Sequence, residues 1–73
     1  MEKKILKLIS KKLKIKKINL KDSPKNIKNW DSLAHLELIQ DLNNLLKIQI
    51  SFQDTIKIKN VSDILKICNK YNK

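Results

Sequence analysis

Apolar positions recur with a helical period at both ends and in the middle of the chain. Ile5, Ile9 and Leu13 fall at i, i+4 and i+8, with Leu6 and Leu8 beside them and Lys3, Lys7, Lys11 and Lys14 on the other face, which predicts a helix over residues 2–14. Residues 15–29 lose the period. Asn19, Asp22, Ser23, Pro24, Asn26 and Asn29 are turn formers, and Pro24 pushes Ser23 toward extended backbone. Leu20 and Ile27 are the expected anchors of this long loop. Asp31 or Ser32 can cap a second helix that runs to about Lys47, with Trp30 packing back over its first turn. Leu36, Leu38, Ile39, Leu42, Leu45 and Leu46 spread over a broad arc of that helix, while Glu37 and Asp41 share the opposite, wet side.

The next stretch is ambiguous. Ile48-Gln49-Ile50 and Ile56-Lys57-Ile58 alternate with period two, which locally favours strand, yet two isolated three-residue strands would have nothing to pair with. Asn60 or Ser62 can open a last helix with Val61, Ile64, Leu65 and Cys68 facing inward, fraying near Tyr71. The expected fold is all-α, a small bundle of three main helices.

Composition narrows the chemistry. The chain has 73 residues, enough for one small domain, and 23 of its apolar residues are Ile or Leu. There is no Gly, which excludes Gly-rich phosphate loops. One His and one Cys cannot supply the four ligands of a structural zinc site, and a lone Cys makes no internal disulfide. No apolar run approaches a membrane span, and Lys interrupts the start too often for a secretory leader, so a cytoplasmic location is expected.

The net charge is +10, from 17 Lys, no Arg and 7 acids. Lys, Ile and Asn make up 37 residues, so A/T-rich coding is one account of the excess, and a polyanion or membrane-surface partner is another. The distribution is more telling than the sum. Residues 1–28 carry +9 and residues 55–73 carry +4, but residues 29–54 carry −3 through Asp31, Glu37, Asp41 and Asp54 against Lys47. Acids kept in one block suggest that this block faces something positive. A nucleic-acid module would favour Arg and aromatic side chains, which are absent or few here, and its helix core would not be acidic. The alternation of Lys with Ile and Leu over 2–18 would suit a membrane surface, without stable insertion.

Asp31, Ser32 and His35 are close in sequence, but a nucleophilic triad also needs an oxyanion hole and a cleft that a Gly-free bundle of this size hardly offers, and no enzymatic activity is expected. Ser32 has another possible role. A serine at a helix mouth sits where free amides and the helix dipole favour an anion such as a phosphodiester, although capping alone would also explain it.

The segment Asp31-Ser32-Leu33-Ala34-His35-Leu36-Glu37-Leu38 resembles the D-S-L-x-x-x-E-L signature of acyl carrier proteins. The similarity continues through Ile39, Leu42 and Leu46, Ile50, Ile58 in a short third helix and Val61 opening the fourth, and covers residues 30–68. It implies a single carrier domain over 1–73, an acyl-carrier-like bundle of three main helices plus a short third helix. Ser32 would be the attachment point of 4′-phosphopantetheine, transferred from coenzyme A by a phosphopantetheinyl transferase. The arm would carry acyl or aminoacyl groups as thioesters between a loading ligase, synthases and acyltransferases of fatty-acid or secondary biosynthesis, the carrier itself remaining a monomer. Asp31, Leu33, Glu37 and Asp41 would form the surface read by basic docking patches on those partners. Leu36, Ile39, Leu42, Leu46, Ile58, Val61 and Ile64 would line or close an acyl pocket. His35 would either pack half-buried against Trp30 or touch the arm at the pocket mouth, and Cys68 would be a small core residue. The overall positive charge departs from the usual acidic character of such carriers, and the form Trp30-Asp31-Ser32-Leu33 looks like that of specialised carriers of secondary pathways.

Overall fold

The computed structural model describes residues 2–71 as four helices with no strand among them: α1 (Glu2–Leu13), α2 (Ser32–Leu46), α3 (Phe52–Lys57) and α4 (Val61–Tyr71). α1 packs against α2. Ile5, Ile9 and Leu13 of α1 meet Leu38, Ile39, Leu42 and Leu46 of α2 and Val61, Ile64, Leu65 and Cys68 of α4 in one buried core, which Ile27, Trp30, Ile50 and Ile58 complete. No helix among the described residues is long and apolar enough to cross a membrane.

The alternating segment resolves as helix. Ser51 caps α3 by accepting from the Asp54 amide (3.1 Å), and the Thr55 hydroxyl donates to the Ser51 carbonyl (2.9 Å). No strand stands beside Ile48–Ile50 or Ile56–Ile58, so local capping wins over period-two patterning. Ile58 lies just past the helix as its C-terminal cap rather than inside it.

Both long helices that precede loops end without glycine. Lys14 and Lys47 take left-handed backbone (φ 57° and 55°), and the next residues close the ends, Ile15 N donating to Ser10 O (3.0 Å) and Ile48 N to Asn43 O (3.1 Å). These six-to-one bonds satisfy carbonyls that a helix end leaves open, and Ile15 and Ile48 tuck partly against the core. A lysine in that conformation costs about 1 kcal/mol relative to glycine.

The loop from 15 to 31 is held by its own amides and carboxylates. Asp22 accepts from the Asn19 amide and from Asn26 Nδ2 (both 2.8 Å), and Asn29 Nδ2 donates to the Leu13 carbonyl at the end of α1 (2.9 Å). Ile27 is buried, as expected of an anchor, but the Leu20 side chain is 50% exposed. Leu20 is attached through its backbone instead. Its carbonyl accepts from Ser62 N (2.9 Å), and that of Asp22 accepts from Val61 N (3.0 Å), so the loop supplies partners for the first amides of α4.

Cys68 is buried in the core, and burial pushes its thiol up from 9.0 to about 11. The unfolded chain therefore releases this proton at lower pH than the folded one. The stability contribution is complete below about pH 9 and is lost as pH rises toward 11. A two-unit difference bounds the loss at about 3 kcal/mol. Urea melts from pH 8.5 to 11 should show wild type losing more stability than Cys68→Ala over this window. Parallel curves would contradict it.

Candidate functional site

The start of α2 separates two neighbouring side chains by role. Asp31 is the cap: its backbone is extended and its carboxylate accepts from the Ala34 amide at 2.8 Å. Ser32 is therefore the first helical residue, is exposed, and its hydroxyl makes no hydrogen bond among the described residues. The hydroxyl stands at the positive end of a 15-residue helix whose first turn has amides without intrahelical partners. Such a position suits an oxygen bearing a phosphodiester.

Beside it runs a groove of about 490 Å³ between the N-terminal turn of α2 and α3. Trp30, His35 and Leu36 form one wall, and Phe52, Ile56 and Ile58 the other, with Pro24 at one end. His35 is built into both walls. The buried Trp30 indole can only donate, so His35 Nδ1 accepts from Trp30 Nε1 at 3.0 Å. That places the ring proton on Nε2, which donates to the Thr55 carbonyl of α3 at 3.0 Å. The two rings also stack, with centroids 6.0 Å apart. His35 thus ties α2 to α3 and lines the groove at once. His35→Phe keeps the stacking but leaves the buried Trp30 N–H without its acceptor, an expected cost of about 1–3 kcal/mol, measured by urea denaturation. An unchanged midpoint would show that the bond adds nothing.

On the other side of α2, Glu37 and Asp41 do not simply face water. Lys12 of α1 reaches across, with Nζ 2.9 Å from Asp41 and 3.8 Å from Glu37. The bond to Asp41 raises the lysine pKa. The positive group that the acidic block was expected to face is thus supplied, at least in part, by the chain itself.

Neither the scan of protein-family models nor the search of curated proteins returns a match to this sequence. Solved structures do match. A Mycobacterium tuberculosis protein described as an acyl carrier protein superposes with a TM-score of 0.86 at 28% identity, over 94% of this chain and 95% of its own. The solution NMR structure of holo acyl carrier protein from Geobacter metallireducens gives 0.85 at 25% identity, over 96% of this chain and 83% of that one. The chain has the acyl carrier fold. Both neighbours are carriers by description, and the expectation that this chain is not an enzyme rests on that likeness.

Within this carrier fold the seven residues expected around an acyl pocket divide. Ile39, Leu42, Leu46, Val61 and Ile64 are packed into the core. Leu36 is 56% exposed at the groove, and Ile58 is buried between core and groove. Leu33 is exposed, as a contact residue would be. One acid has a role that the sequence did not reveal. Asp54 is buried at the start of α3, where it accepts from the Tyr71 hydroxyl and from Lys70 Nζ (3.3 Å), both on α4. The same hydroxyl accepts from the Ser51 amide at 3.0 Å. The Tyr71 bond, with Lys70 behind it, holds the Asp54 carboxyl below the usual aspartate range. The partners lie 17 and 16 residues away, and no local pattern signals such a pairing. Among the described residues no group of His, Cys, Asp and Glu could hold a metal ion.

Proposed function

We propose that the chain is a discrete acyl carrier protein, one domain over residues 1–73, that carries 4′-phosphopantetheine on Ser32 and shuttles acyl or aminoacyl intermediates of fatty-acid or secondary biosynthesis between partner enzymes. The observation that carries the reading is the division of labour at the start of α2: Asp31 caps the helix, leaving an exposed, uncommitted Ser32 hydroxyl beside an apolar groove. The likeness to two acyl carrier structures supports it, one of them described as holo.

In the transfer step, Ser32 Oγ would displace the nucleotide portion of coenzyme A in the active site of a phosphopantetheinyl transferase. The helix N-terminus favours the phosphodiester so formed. The arm, when present, supplies a terminal thiol on which an acyl group rides as a thioester. Leu36, Phe52 and Ile56 offer apolar surface next to the attachment point, where a chain leaving the serine first meets protein. Exposed Leu33 would meet the partners, which include the transferase, a loading ligase, synthases and acyltransferases. Docking of this kind is brief, and small interfaces suit quick release.

Intact mass tests the reading. Incubation with coenzyme A and a broad-specificity transferase should add one phosphopantetheine group to wild type and none to Ser32→Ala. No gain in wild type, with a transferase active on a control carrier, would overturn it.

A further inference from the structure

The acids of α2 are the surface expected to meet basic partners, yet the structure engages each of them internally. Asp31 is tied to its own helix as the cap, and Glu37 and Asp41 share Lys12. The charges left around Ser32 have the opposite sign. Two depressions adjoin the serine groove. One shares Pro24 with it and is lined by Lys21, Lys25 and Lys59. The other shares Asp31 with it and is lined by Lys12 and Lys14 as well as Glu37. Lys14, Lys21, Lys25 and Lys59 are exposed and make no ion pair among the described residues. Between these lysine flanks stand the exposed apolar side chains of Leu33, Leu36, Phe52 and Ile56.

We infer that this face is built for partner enzymes whose docking surface is an apolar contact rimmed by carboxylates, the reverse of the basic patch that the α2 acids alone would call for. This rests on the carrier reading and adds the polarity of its partners. A basic patch approaching Ser32 would meet lysines on both flanks and would have to compete with Lys12 for Glu37 and Asp41. Carboxylates would find unpaired ammonium groups on either side of the apolar ridge. At physiological salt only charges within about 8 Å of the contact count, so these flanking lysines outweigh the rest of the net charge. Biased coding can explain how many lysines the chain has, but not that the acids nearest the serine are held in cis.

The test uses a phosphopantetheinyl transferase with a basic carrier-binding face and a variant of it with those basic residues changed to Glu. kcat/KM for modification of Ser32 is measured from 50 to 500 mM salt. At low salt the acidic-faced enzyme should modify wild type about tenfold faster than the basic-faced one, and salt should erase the difference. Changing Lys21→Glu, Lys25→Glu and Lys59→Glu together, all exposed and outside the core, should reverse the order. Preference of wild type for the basic-faced enzyme, or an order unmoved by the triple substitution, would overturn the inference. Affinities of the two enzymes for the Ser32→Ala chain read the polarity without transfer. If these affinities rank as expected while neither enzyme modifies wild type, the carrier reading falls and the docking polarity stands.

Discussion

Ser32→Ala is expected to lose all capacity for modification while melting within about 0.5 kcal/mol of wild type, and Asp31→Ala to do the reverse in stability. The contrast follows from one hydrogen bond. The Asp31 carboxylate accepts from the Ala34 amide at 2.8 Å, and losing such a cap costs about 1 kcal/mol. The Ser32 hydroxyl is exposed and has no partner among the described residues, and alanine is an excellent residue for the first turn. Thermal melts of the two variants beside intact mass after treatment with coenzyme A and transferase measure both quantities. If Ser32→Ala proved as destabilising as Asp31→Ala, the serine would be part of the cap and its exposure at the groove would lose its meaning.

That division was only half legible in the sequence. Either Asp31 or Ser32 could have capped, since both residue types do so and they are adjacent. Backbone conformation decides: Asp31 is extended and outside the helix, and Ser32 is inside it. The three long helices were readable because each repeats its apolar positions over at least three turns. α3 was not, because six residues cannot establish a period and the Ile pairs around it alternate like a strand. The two left-handed helix ends carry lysine where glycine usually signals the turn, so nothing in the composition marks them. Long-range polar pairs were the other blind spot. Lys12 lies 25 and 29 positions before Glu37 and Asp41, and Asp54 finds Tyr71 only because α3 lies against α4. These pairs set the electrostatics of the site, which explains why the block charges suggested an external positive partner and the structure reveals an internal one.

The wheel of α2 also grouped residues that the fold separates. Leu36 and Leu42 belong to the same broad apolar arc, but Leu42 is fully buried and Leu36 is 56% exposed at the groove. Leu42→Ala is expected to cost about 2–5 kcal/mol, the lost transfer of the side chain plus the cavity left behind. A domain of this size has a total stability of roughly 4–11 kcal/mol, so the loss is a large fraction of it. The melting temperature should fall by about 10–25 °C, at the several degrees per kcal/mol typical of small domains. Leu36→Ala should stay within about 0.5 kcal/mol, because most of its side chain already meets water. Its effect should appear instead in the loaded carrier, as faster hydrolysis of an acyl thioester that has lost apolar cover beside Ser32. Calorimetry of both variants, followed by thioester lifetimes for Leu36→Ala and wild type, separates the two sites. Equal destabilisation by the two substitutions would mean that the groove is an extension of the core, held shut in the folded protein. The expected split places any cargo contact made by α2 at the exposed end of the arc, with the buried end serving the bundle.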